Sequence, residues 1–370
     1  MARTVAYLTP LYFDEQSYLG GGERYPLNLA RGVVEAGAGR VKVELISFGA
    51  SARRLELAPG VGLRVLPVAG RAADALDVTS WDLPDALAEA DLVHIHQVFT
   101  RCAELGMLVA KQQGKPVVAT DHGGHSSTLG ADAGILDLAD RIVAYSDFGA
   151  SMYGRVDRPI TIIKGGVDAS TFVPPPHRLE RDRILYVGRL LPHKGIDRLI
   201  AACPADLPLT VCGRPYHESY YKRLKSLAIG KDVTFVTDAD DEHIKRLYWR
   251  SWANVLPSVH IDCYGTVHRM PELMGFTLLE AMACGTPAIC ARTAAMPEFI
   301  RQGETGFVYD DLDELESTLR RLASTPGLSD ALGDAARDEV TSRFDYRVAG
   351  RAMLKVYDEL LARGRREVAA

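Results

Sequence analysis

The sequence predicts an α/β protein of two doubly wound domains, each a parallel sheet with helices on both faces. Three observations point there. Its 370 residues exceed what one hydrophobic core usually organises. Short runs rich in Val and Ile alternate with helix-compatible stretches, which is the pattern of a parallel sheet. That pattern pauses around three consecutive prolines, Pro174 to Pro176, and then restarts.

In chain order, strands of the first domain are expected at TVAYLTP, VKVELISF, DLVHIHQ, PVVATDH, RIVAYS and ITIIKGG, within residues 1–165. The prolines preclude a helix and favour an extended connector, so the boundary is placed near Gly165 to Pro176. The second domain, 166–346, carries DRILYVGRL, LPLTVCG, DVTFVTD, ANVLPS, PAICA and GFVYD. The last stretch, 347–370, spaces Val348, Met353, Val356, Tyr357, Leu360 and Leu361 at helical intervals. It is expected to be an amphipathic helix that packs back on the first domain.

Composition narrows the partners. At 47% hydrophobic and 25% charged, with a net charge of -5, the chain reads as a soluble globular protein without the basic stripe of a nucleic-acid binder. Its six cysteines form no CxxC pair or disulfide framework, so a reducing cytoplasm is expected. Pro10 and acids interrupt the N-terminal apolar stretch before a signal-peptide core forms, and no 18-residue apolar run predicts a transmembrane segment. Ala- and Arg-rich composition suggests a GC-rich bacterial genome. The sequence carries no signal for oligomeric state.

Two open α/β domains leave a cleft at the carboxyl ends of their strands, where such folds bind ligands. The loop after the first strand reads LGGGERYPL, with Gly20, Gly21 and Gly22 before a helix. Such glycines let backbone N–H groups approach an anion, though a glycine run also serves as a plain loop. The second domain opens with YVGRLLPHKG: strand, Gly188, Arg189, a loop with Lys194 and Gly195, then a helix. Arg supplies a planar fork and Lys a point charge, both suited to a diphosphate; the bland reading is two solvated cations.

PELMGFTLLEAMACGTP then places two carboxylates in an apolar, small-residue stretch. Glu280 is expected near the first turn of a helix, where dipole stabilisation alone would explain it, and Glu272 in the loop before it. The dipole does not explain Glu272. Carboxylates accept hydrogen bonds from vicinal hydroxyls of a ribose or hexose, so diphosphate-binding cations and two such acids point to a nucleotide sugar.

These residues resemble a family. PELMGFTLLEAMACGTP resembles the E-x7-E signature of retaining glycosyltransferases of family four, which have the GT-B fold of two Rossmann-like domains facing a cleft. GRLLPHKG is similar to that family's G-R-L-x3-K-G segment, GGGER to its glycine loop, DHGG to its histidine motif and GGVDASTF to its linker N-G-V-D-x3-F. The resemblance implies an N-terminal acceptor domain and a C-terminal donor domain. It implies that Arg189 and Lys194 neutralise the departing diphosphate in place of a metal, and that Glu272 contacts the transferred sugar. His122 would bond that sugar's hydroxyl and Glu280 the ribose. Gly21, Gly22, Gly188 and the backbone of Gly275, Phe276 and Thr277 would complete the donor site. The implied reaction moves a hexose-type sugar with retention, by attack on the face the diphosphate leaves, with no cofactor and no protein nucleophile. No Ser-His-Asp or Cys-His arrangement is evident either.

The chain departs from the pattern at Leu273 and Met274, at Lys164 to Gly166, and in a long spacer, VHIDCYGTVHRM, read as a loop near the donor. Asp238 and Asp240 spell D-x-D but read as helix-start acids. His94 and His96 face one side of a strand and, with no third ligand, read as a buried or cleft-lining pair; no metal site is expected. His125 is open to the acceptor or to solvent. Residues 1–165 hold 16 Lys and Arg against 19 Asp and Glu, which disfavours an anionic lipid surface and favours a soluble acceptor. Two alternatives stand beside this reading: a nucleotide-sugar epimerase of the same shape, and a non-catalytic nucleotide-sugar binder. An NAD-dependent oxidoreductase lacks its G-x-G-x-x-G.

Overall fold

A computed structural model describes residues 2–10, 21–70, 76–123, 134–154 and 156–368; Gly20 and His125 lie outside them. The chain divides into two compact units, Met1–Gly166 with Tyr346–Ala370, and Val167–Asp345. Pro174 to Pro176 belong to no helix or strand, Pro176 standing in a bend, and lie inside the second unit.

The first unit is built on β1 (Arg3–Leu8), β2 (Val41–Gly49), β3 (Arg53–Ala58), β4 (Val61–Pro67), β5 (Leu92–His96), β6 (Val117–Thr120), β7 (Arg141–Ala144) and β8 (Ile160–Ile162). They run in the order β3-β4-β2-β1-β5-β6-β7-β8, parallel except for the antiparallel β3–β4 pair. Every residue of β5 and β6 is buried, as expected of strands covered on both faces. The β3–β4 hairpin is absent from the sequence-based expectation for a physical reason. As the edge strand, β3 exposes Arg54, Leu55 and Glu56 and lacks a Val/Ile run. β4 buries Val61, Leu63 and Val65 but interposes Gly62 and Arg64.

The helix Tyr346–Val368 belongs to this unit. It buries Met353, Val356, Tyr357 and Leu360 and lies against the helix Gly21–Gly37. Gly32 and Gly350 meet at that crossing, where a Cβ on Gly32 would stand 2.3 Å from the Tyr346 carbonyl oxygen. Tyr346 donates its hydroxyl to Glu35 at 2.7 Å, and Arg3 pairs with Asp358 at 2.8 Å.

The second unit has β9 (Arg183–Val187), β10 (Leu209–Cys212), β11 (Val233–Val236), β12 (Ser251–Leu256), β13 (Ala288–Ala291) and β14 (Gly306–Tyr309). All are parallel, in the order β11-β10-β9-β12-β13-β14. The strand order therefore reverses between β9 and β12, and in the first unit between β1 and β5. Loops leaving the carboxyl ends of such neighbours diverge and open a crevice, the position at which these sheets hold ligands.

Candidate functional site

In the second unit the chain leaves β9 through Gly188, whose φ of 155° suits glycine; a Cβ there would stand 2.8 Å from the Tyr186 hydroxyl oxygen. That hydroxyl donates to the Arg189 carbonyl at 2.9 Å and fixes the backbone of the next residue. The Arg189 side chain is exposed and has no hydrogen bond or ion pair among the described residues. A 3₁₀ turn, Pro192–Lys194, follows, and then the helix Ile196–Ala202. Lys194, expected as a loop cation, is buried, and its ammonium pairs with Glu272 across the switch point. Glu272 leaves β12 in the neighbouring loop and also accepts a bond from the Ser258 hydroxyl at 3.2 Å. The two residues thus hold a nearly neutral pair in which each charge is kept from full hydration.

The helix Phe276–Ala283 is preceded by Gly275 in the left-handed region, at φ 83°. A helix starting there leaves the backbone N–H groups of Phe276 and Thr277 without acceptors inside it. Glu280 consequently lies one turn in, beyond the first turn where its sequence position suggested it. Its side chain is buried and accepts from the Tyr248 hydroxyl at 3.3 Å. The dipole explanation, which fades within the first turn, does not apply.

The long spacer before Glu272 has a built structure. Asp262, buried, accepts from the backbone N–H of Tyr264 at 2.8 Å and of Thr266 at 3.1 Å, and pairs with His268 at 2.9 Å. The His268 ring lies 4.9 Å from that of His193, the residue before Lys194. Burial, with Lys194 adding to it, pushes the His193 pKa down to about 3. The spacer is thereby tied to the turn that carries Lys194, a contact between residues 75 positions apart that spacing alone does not reveal.

In the first unit, His122 follows β6. Its Nδ1 lies 2.6 Å from the Tyr145 hydroxyl and its Nε2 2.9 Å from His96 Nδ1. Burial pushes its pKa down to about 3, so the ring is neutral. The resemblance assigns this ring to a sugar hydroxyl, but both of its nitrogens are engaged by protein groups. His94 and His96 are fully buried; His94 lies between the Tyr357 hydroxyl at 2.6 Å and Thr120 Oγ1 at 2.8 Å. Gly21 and Gly22 form the first turn of the helix Gly21–Gly37 rather than a loop before it. Asp240 caps the helix Asp241–Trp249, accepting from the His243 N–H at 2.7 Å. Among the described residues no three His, Cys, Asp or Glu side chains converge as a metal site, and no helix is long and apolar enough to cross a membrane.

Two family models match successive parts of the chain: Glycosyltransferase Family 4 over residues 19–171 and Glycosyl transferases group 1 over residues 170–339. The chain is 28% identical to a GDP-mannose-dependent alpha-(1-6)-phosphatidylinositol monomannoside mannosyltransferase of Mycolicibacterium smegmatis, over 72% of this chain and 74% of that one. It is 26% identical to a D-inositol 3-phosphate glycosyltransferase of Salinispora arenicola, over 98% and 92%. Its fold is shared with Anabaena HepE, solved with UDP and glucose: TM-score 0.73, 17% identity, 97% of this chain and 100% of that one.

Proposed function

From the premise that this chain belongs to the family 4, group 1 glycosyltransferases, we propose that it moves a hexose from a nucleoside diphosphate sugar to a hydroxyl of a soluble acceptor. The transfer retains anomeric configuration and needs no metal. One observation carries this reading: Lys194, in the loop after β9 that also holds Arg189, pairs with Glu272, in the loop that leads from β12 to the Phe276–Ala283 helix, across the β9/β12 switch point.

The donor belongs to the second unit. Arg189, exposed and unpartnered among the described residues, and Lys194, held by Glu272, face the diphosphate; the free N–H groups of Phe276 and Thr277 add positive ends of backbone dipoles. Glu280 takes the ribose hydroxyls and Glu272 a hydroxyl of the transferred hexose. The bond from C1 to the diphosphate breaks on the face where the acceptor oxygen attacks, so negative charge grows on phosphate oxygens that cations already surround. Gly188 lets the backbone approach that group. On the first unit, His122 serves a hydroxyl of the sugar only where that hydroxyl takes the place of Tyr145 or His96 on its ring, and Gly21 and Gly22 open the helix Gly21–Gly37. By their names, the two relatives act on inositol-based acceptors, one lipid-linked and one an inositol phosphate. The first unit, with 22 Lys and Arg against 22 Asp and Glu, carries no net positive charge to draw it to an anionic lipid surface, which favours the second kind, and a cytoplasmic setting accords with the unpaired cysteines.

This chemistry has a direct test. Turnover of a nucleotide sugar in excess EDTA is expected to match that in added Mg²⁺, and NMR of the product to show the donor's anomeric configuration. Inversion would remove the same-face mechanism, and loss of turnover in EDTA would assign the diphosphate to a metal instead of Arg189 and Lys194.

A further inference from the structure

Two protein donors end on one oxygen of Glu272. Its Oε1 accepts from the Lys194 ammonium and, at 3.2 Å, from the Ser258 hydroxyl. Chemistry fixes both directions, since a carboxylate only accepts and an ammonium only donates. Oε2 makes no bond among the described residues and keeps contact with solvent. Ser258 has no exposed surface, and Glu272 is the one partner of its hydroxyl among the described residues. Serine hydroxyls commonly bond a backbone group close by in the chain. This one is spent on a carboxylate 14 positions away.

Backbone contacts set the two donors side by side. Gly195, with φ 65°, follows Lys194, and a Cβ on it would stand 2.1 Å from the Pro257 carbonyl oxygen. The Val259 N–H donates to the His193 carbonyl at 2.9 Å. Position 195 thus meets 257 and position 193 meets 259, which brings Lys194 and Ser258 opposite one another.

We infer that Ser258 is a positioning residue for Glu272: its hydroxyl joins Lys194 on Oε1 and so presents Oε2 to the transferred sugar. The inference rests on the proposed contact between Glu272 and a hydroxyl of that sugar. The last torsion of a glutamate is broad, and Lys194 alone fixes only where one oxygen sits. A second donor on that oxygen fixes the plane of the carboxylate, and with it the direction of Oε2. Supporting bonds of this kind hold a functional group within the narrow geometry its task needs.

The test compares full-length wild type with Ser258→Ala, Glu272→Ala and the double variant. Nucleoside diphosphate release from UDP-glucose and GDP-mannose gives kcat, titration with UDP and GDP gives the affinity for nucleotide without sugar, and melting curves report folding. Ser258→Ala is expected to lower kcat by about 10-fold, the usual worth of a bond to a charged group, with the Kd of the free nucleotide within about twofold. General loosening of the second unit would move both. In the Glu272→Ala background, Ser258→Ala is expected to change nothing further, in kcat or, where the rate is too low to measure, in melting temperature. The stranding of Lys194 is common to both members of that comparison and cancels. Additive losses in the double variant, or a parallel loss of nucleotide affinity in Ser258→Ala, overturn the inference. So does a wild-type kcat in Ser258→Ala beside an impaired Glu272→Ala. A wild-type kcat in Glu272→Ala would remove the sugar role of Glu272 itself, and the inference with it.

Discussion

Arg189→Ala is expected to reduce kcat by about 100-fold or more, a loss of about 3 to 4 kcal/mol of transition-state stabilisation, while donor affinity falls much less. The asymmetry follows from when the charge appears. The diphosphate is already anionic in the bound donor, but the oxygen that leaves C1 gains its charge only as the bond breaks, and a fixed guanidinium nearby stabilises that change selectively. The substitution also isolates function from folding. The Arg189 side chain is exposed and makes no bond among the described residues, so its removal costs little stability. Lys194→Ala is a less clean experiment, because it strands the Glu272 carboxylate with which Lys194 pairs at 11% exposure of each side chain. Initial-rate kinetics on Arg189→Ala, beside its melting curve, decide the matter. Equal kcat in variant and wild type would move the leaving-group role elsewhere.

Acidification is expected to unfold the first unit well before the second. His94, His96 and His122 are buried and neutral, burial having pushed the first two well below their usual pKa and His122 to about 3. The unfolded chain takes up protons near the ordinary value of 6.5 and the folded unit does not. The stability these groups represent is therefore intact above about pH 6.5 and is lost as pH falls toward the folded values. Each histidine contributes a slope of about 1.4 kcal/mol per pH unit, so the three together remove about 6 kcal/mol by pH 5, a large share of a domain's stability. In the second unit burial lowers His193 in the same way, to about 3. That unit's depressed carboxylates, Asp182, Asp262 and Asp330, act in the same direction but only below their ordinary value of 3.8. Unfolding at pH 7 and pH 5, followed by probes in each unit, is expected to show proton uptake of about three by the first. Equal loss from both units, or none, would contradict the buried neutral histidines.

What was legible in the sequence was what local pattern encodes. All six strands of the second unit and six of the eight in the first announce themselves: the inner ones because a parallel strand covered on both faces must be a run of Val, Ile and Leu, and the edge strands β8 and β11 because they keep β-branched Ile, Val and Thr although they are not covered. The hairpin of β3 and β4 hides, since an edge strand can carry Arg53, Arg54 and Glu56. The site divides in the same way. The E-x7-E spacing brings Glu272 and Glu280 to attention, but only the structure shows that Gly275 starts the helix and puts Glu280 in its second turn. The Lys194–Glu272 pair joins residues 78 positions apart, and the bonds on His122 come from His96 and Tyr145, 26 and 23 positions away. Such pairings are set by which strands are neighbours, and that order, β1-β5-β6-β7 in the first unit, is a property of the sheet rather than of any one segment.

The central claim is that the second unit holds a nucleoside diphosphate sugar with Glu280 on the ribose. The most direct measurement is a thermal-shift panel of UDP, GDP, dTDP and ADP and their common sugar conjugates against wild type and Glu280→Ala. A ligand at 100 times its Kd stabilises by about 2.7 kcal/mol, which is several degrees for a unit of this size. The account predicts that one base raises the wild-type melting temperature by that amount and that Glu280→Ala, folded, loses most of the response. No shift with any nucleotide, or the same shift in the variant, would contradict it.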